Sequence, residues 1–125
     1  MNIITTVNAP AAIGPYSQAI VSGSLIFTSG QIPIDPKTGN IEAAGIEGQT
    51  EQVIKNLSAV LEAGGSSLAN VIKTTCFLHD IGDFAVFNEI YEKYFPGKPA
   101  RSCVEVAALP RNALVEIEAT AEIVK

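Results

Sequence analysis

The chain has 125 residues, apolar residues make up 47% of it and charged residues 17%, and its formal net charge is −5. That length suits one domain, with a core that removes roughly two-thirds of the unfolded surface from water. Lys and Arg are scattered without a basic stripe, which argues against nucleic acid or an anionic membrane surface as partners.

No apolar run approaches the ~20 residues of a membrane helix. The N-terminus lacks the basic and apolar regions of a signal peptide, so the cytoplasm is the expected location. Cys76 and Cys103 lie far apart with no CxxC pairing, and His79 is the only histidine. A disulfide framework, a metal centre or a Ser-His-Asp triad is therefore not expected. There is no GxGxxG and no P-loop, so no nucleotide cofactor is expected either.

In chain order, residues 2–7 are β-rich and suit a short edge strand. Pro10, Gly14 and Pro15 punctuate a loop over residues 8–15. Residues 18–22 and 24–29 are apolar, β-branched runs around Gly23, the pattern of a hairpin. Residues 30–40 are turn-rich, with Asp35-Pro36-Lys37-Thr38-Gly39 as a tight turn.

Residues 48–63 carry the clearest helical period, with Val53, Leu57, Val60 and Leu61 inward and Gln52, Lys55, Asn56, Ser58 and Glu62 on the other side. Gly64-Gly65 stops the helix. Residues 71–78 form a strand, and Asp83 is placed to cap a second helix bearing the aromatic stripe Phe84, Phe87, Tyr91 and Tyr94. That helix ends near Phe95, before Pro96-Gly97. Two strands close the chain, over residues 99–106 and from Val115 to Ile123, with a turn around Pro110, Arg111 and Asn112. Their proximity predicts a hairpin that brings Arg101 near a glutamate.

The order strands, helix, strand, helix, two strands predicts an α+β fold: a mixed sheet with two helices packed on one face. The other face remains too apolar for water, and oligomerisation is the simplest cover.

Strand alternation puts Arg101, Cys103 and Glu105 on one face, and Glu116, Glu118, Thr120 and Glu122 together on another. A guanidinium can hold a carboxylate by two parallel hydrogen bonds, although Arg at a strand start also serves as a surface ion-pair partner. A glutamate on such a face is either solvated or, in a tuned environment, a general acid or base. Cys103 without a histidine reads as a small apolar residue lining a pocket.

The run Pro99-Ala100-Arg101-Ser102-Cys103-Val104-Glu105-Val106, then Leu109-Pro110 and Val115-Glu116-Ile117, resembles the signature of the Rid (YjgF) family of reactive-intermediate deaminases. Further matches are Asn8-Ala9-Pro10, Ile13-Gly14-Pro15-Tyr16-Ser17-Gln18, Thr28-Ser29-Gly30-Gln31-Ile32-Pro33 and Asp83-Phe84-Ala85-Val86-Phe87-Asn88, in family order. The resemblance is closest to the RidA branch. It implies one domain over residues 1–125, a chorismate-mutase-like fold and a homotrimer with sites in the clefts between subunits. It also implies hydrolysis of 2-imino acids (2-iminobutanoate, 2-iminopropanoate) and their enamines to 2-keto acids and ammonia, without a cofactor or metal. In that picture Arg101 binds the substrate carboxylate, and Glu116 handles the water, with Glu118 as the fallback. Tyr16 stands at the pocket mouth, Ser29 and Gly30 contact the ligand, Cys103 lines the pocket, and Asn88 has a site or interface role. The rival reading is a module that binds a small carboxylate without turning it over.

Overall fold

A computed structural model describes residues 1–124. Six strands, β1 (Asn2–Ile4), β2 (Ala19–Ser22), β3 (Leu25–Thr28), β4 (Val71–Leu78), β5 (Ala100–Glu105) and β6 (Val115–Glu122), form one sheet in the order β1-β2-β3-β6-β4-β5. Helices α1 (Ile46–Ala63) and α2 (Phe84–Tyr94) complete the chain. Val53, Leu57, Val60 and Leu61 of α1 and Phe87 of α2 are fully buried in one core with Ile26, Leu78, Val115 and Ile117 of the sheet. The expected α+β architecture is present, with both helices against one sheet face. Among the described residues no helix is long and apolar enough to cross a membrane.

The sequence reading of the last two strands as a hairpin is wrong. β4 lies between them, parallel to β5 (Cys76 opposite Cys103) and antiparallel to β6 (Cys76 opposite Ile117). The reason is the crossover through α2. A strand that returns after a helix comes back parallel to the one it left, so β5 takes one edge of β4. The turn over Pro110–Asn112, with Arg111 and Asn112 at φ 59° and 57°, then carries the chain past β4 to its other edge.

Smaller differences have local causes. The first strand stops at Ile4, because Thr6 N–H is taken by the Gln18 side chain at 2.7 Å. Asp83 occupies the cap position of α2, but its side chain makes no capping bond; Asp80 accepts from Gly82 N at 2.8 Å in the preceding turn instead. Asn56 is buried, not on the outer side of α1. The stop at Gly64-Gly65 is as expected. Gly65 at φ 88° directs its own N–H to Glu62 O and lets Ser66 N–H reach Leu61 O, closing the last turn.

The sheet face away from the helices carries Ile3, Ile20 and Phe27 in one cross-strand row, and Glu116, Phe77 and Val104 in another. Phe27 and Val104 are 44% and 45% exposed in the single chain.

Gly65→Ala forces a Cβ into the left-handed region. It is expected to cost about 1–2 kcal/mol, read as a lower urea midpoint at fixed protein concentration.

Candidate functional site

β6 alternates inward Val115, Ile117, Ala119 and Ala121 with outward Glu116, Glu118, Thr120 and Glu122. Glu116 therefore leaves the sheet on the face without helices. The stretch just after β3 runs beside it: Gln31 and Ile117 exchange backbone hydrogen bonds of 2.8 and 3.2 Å. This juxtaposition sets Gly30 under the glutamate. A Cβ built on Gly30 would stand 2.1 Å from Glu116 Oε2, so only glycine permits the carboxyl to lie there.

Tyr16, Ser29, Gly30, Ile32, Pro110, Glu116 and Glu118 line one cleft of about 470 Å³. Ser29 Oγ donates to Ser17 O at 2.5 Å, which ties the Tyr16 loop to the strand end and leaves the Ser29 oxygen as an acceptor only. Burial, and secondarily the charge of Glu118, push the Glu116 carboxyl above the usual carboxylate range.

Arg101 lies elsewhere. It pairs with Thr74, whose hydroxyl is buried against Tyr91 OH of α2 at 2.7 Å, so Arg101 stands on the helix face of the sheet. Its Nη1 donates to Asn88 Oδ1 at 2.8 Å. The guanidinium carbon is 4.8 Å from the Tyr91 ring centre, 5.5 Å from Phe84 and 6.0 Å from Phe87. Rings around a cation partly replace its water while leaving most of its five N–H donors unused. Asn88, Tyr91, Lys98, Pro99 and Arg101 help to line a second, more open cleft of about 330 Å³.

Cys103, two residues along the same face, is half-buried. Burial pushes its thiol up, opposed by Arg101, and pushes the Cys76 thiol up to about 12. Both remain protonated at neutral pH, which rules out a resting thiolate nucleophile.

The structure thus gathers Tyr16, Ser29, Gly30 and Glu116 in one cleft, and Asn88, Arg101 and Cys103 in another region. It does not bring Arg101 and Glu116 together within one chain. They stand on opposite faces of the sheet, on strands separated by β4. The expectation of a meeting within the last hairpin fails with the hairpin itself. Sequence reading also missed the aromatic surround of Arg101 as a site feature, because Phe84, Phe87 and Tyr91 read simply as core.

The fold holds the Glu116 proton more tightly than the unfolded chain does. Ionising Glu116 therefore weakens the fold as pH rises from the usual carboxylate range through the raised value. Glu118→Gln removes the neighbouring charge and is expected to lower the Glu116 pKa towards its ordinary value without restoring it, since burial is the larger cause. Carboxyl ¹³C NMR titration reads this directly.

Residues 6–123 match the family model described as endoribonuclease L-PSP. A 2-iminobutanoate/2-iminopropanoate deaminase of Salmonella typhimurium is 50% identical over 122 residues, covering 94% of each chain. A crystal structure from Thermotoga maritima superposes with a TM-score of 0.96 at 52% identity, over 100% of this chain and 99% of that one. Escherichia coli TdcF with bound serine superposes with a TM-score of 0.94 at 44% identity, over 99% and 100%. A mixed sheet with both helices on one face is the chorismate-mutase-like α+β fold of these neighbours. With nearly its whole length matched, this chain belongs to the endoribonuclease L-PSP family, also known as Rid or YjgF.

Proposed function

We propose that this protein hydrolyses 2-imino acids, and the enamines in equilibrium with them, to 2-keto acids and ammonia, in a site completed between two copies of the chain within a homotrimer. The observation that carries this reading is the separation of two complementary clefts onto opposite sheet faces. One offers a guanidinium with unused donors, and the other a half-buried carboxyl over a glycine. A small imino acid carries a carboxylate for the first and an electrophilic carbon for the second. Packing a second copy on the apolar face that bears Phe27 and Val104 would also cover that face.

In this mechanism Arg101 holds the substrate carboxylate through paired N–H donors, with Asn88 fixing the guanidinium. Tyr16, Ser29 and Cys103 frame the small pocket. Glu116 takes a proton from water as the water oxygen bonds to the carbon of the protonated C=N group, whose π electrons go to nitrogen and leave a neutral carbinolamine. Glu116 returns that proton to the nitrogen, and as ammonia departs with the C–N electron pair the hydroxyl gives up its own proton and the carbonyl of the keto acid forms. A carboxyl whose pKa lies above the ordinary range both accepts and returns a proton more readily near neutrality. Such imines hydrolyse unaided, so positioning and one acid/base group suffice.

The family description speaks of an endoribonuclease, but the −5 charge and scattered Lys and Arg favour a small anionic substrate over RNA. Serine bound to TdcF keeps a second reading in view: binding of a small amino or keto acid without turnover.

Threonine dehydratase supplies 2-iminobutanoate continuously, and keto-acid release above the spontaneous rate reports activity. Arg101→Ala and Glu116→Gln are each expected to lower kcat/KM by about 100-fold or more while the oligomer persists. Mixed and reassembled, the two inactive variants should recover activity at about one quarter of the sites, because an intact Arg101 then faces an intact Glu116 across some interfaces. No acceleration by the wild-type protein, with 2-oxobutanoate still bound, would establish the binding reading instead.

A further inference from the structure

Two carboxamides interrupt the buried face of α1: Gln49 at 4% exposure and Asn56 at 1%. Seven residues apart, they fall two turns apart on one stripe of the helix. Asn56 Nδ2 donates to Ile32 O at 3.0 Å and Ile34 O at 2.8 Å, and its Oδ1 accepts from Gln52 Nε2 at 2.9 Å. Gln49 Oε1 accepts from Leu114 N–H at 2.8 Å, and its Nε2 donates to Ala43 O at 3.0 Å.

The two side chains therefore grip separate segments. Asn56 holds residues 32–34, just after Gly30 and Gln31. Gln49 holds residue 114, at the foot of the Pro110–Asn112 turn and two residues before Glu116. Ile32 and Pro110, one from each segment, are the apolar walls of the Glu116 cleft. The 32–34 segment belongs to no long ladder: Ile34 N–H bonds only as far as Ile32 O, and Gln31 meets Ile117 in an isolated bridge. Leu114 caps the β4–β6 ladder, its carbonyl accepting from His79 N–H at 3.0 Å while its N–H is taken by Gln49. Helix propensity does not ask for an amide at position 56, where leucine is the better helix former, and is indifferent at 49. What the amides supply is pairing for the Leu114 N–H and for the Ile32 and Ile34 carbonyls, which leucine would leave unsatisfied.

We propose that Gln49 and Asn56 are positioning residues, holding the Ile32 and Pro110 walls at the separation that confines Glu116. The inference rests on the reading of Glu116 as the group that handles water. Loosened walls admit water to the carboxyl, which relieves the burial that raises its pKa. The titratable groups lining that cleft with it are Glu118 and Tyr16, and neither is touched by the two amides. The Arg101 cleft lies on the other sheet face and is left as it was.

Asn56→Asp is isosteric but loses both donors, and Gln49→Leu loses the acceptor for Leu114 N–H. In variants whose circular dichroism and sedimentation match wild type, kcat for the dehydratase-generated imine is expected to fall about tenfold or more, with KM within about threefold. The acid limb of the pH–rate profile should move to lower pH. Folded variants with wild-type kcat and acid limb would overturn the proposal. Where Asn56→Asp does not fold, Gln49→Leu alone is held to the same criteria. ¹³C titration of Glu116 separates this inference from the functional reading. A lowered Glu116 pKa in Gln49→Leu supports the positioning role even if the wild-type protein proves inactive on imines. An unchanged pKa sinks that role even if the wild type is active.

Discussion

Two helices can cover only one face of a six-stranded sheet, and the side chain of each strand residue must choose between that face and the other. Along β6 the choice sends Ile117 into the core and Glu116 away from it. Along β5 it sends Arg101 towards Tyr91 and Asn88 on α2. The cation and the carboxyl are thereby kept from neutralising each other as an internal ion pair. Each instead remains available to a third party. A direct pair would satisfy both groups and leave nothing to recognise a ligand.

The surroundings of each group suit that separation. Three rings shield the Arg101 guanidinium without competing for its hydrogen bonds, and Asn88 fixes its plane with one acceptor. Glu116 lies on Gly30, where no side chain can stand between the carboxyl and the cleft. Glu118 one pleat along adds a like charge, which favours the protonated form. Burial and charge act in the same direction there, and on the Cys103 thiol they act in opposite ones.

Periodicity made α1, α2, β4 and β6 legible in the sequence, because Val53, Leu57, Val60 and the alternation from Val115 to Ala121 repeat at helix and strand spacing. The same alternation correctly assigned Arg101 and Cys103 to one face and Glu116 and Glu118 to one face. It could not say whether those were the same face of the sheet, since that depends on which strand each one pairs with. Pairing follows from the crossover through α2, a long-range property that spacing does not encode. The family motifs pointed to Gly30 and Asn88, but the reason for the glycine, a carboxyl lying 2.1 Å from where a Cβ would be, appears only in three dimensions. Asn56 was assigned to the wrong side of α1 because polar residues are ordinarily outside, and its partners are backbone carbonyls that leave no mark in the sequence.

The protonated state of the two sulfurs has a chemical consequence of its own. The carbon of a C=N bond is an electrophile, and a deprotonated sulfur close to one would add to it and hold the compound as a thiohemiaminal. Cys76 and Cys103, register partners on adjacent strands, are both held in the neutral, poorly nucleophilic form. On the deaminase reading, a pocket wall of this kind gains soft, polarizable contact surface while staying inert towards its own electrophile, so the protein would survive many turnovers without self-inactivation.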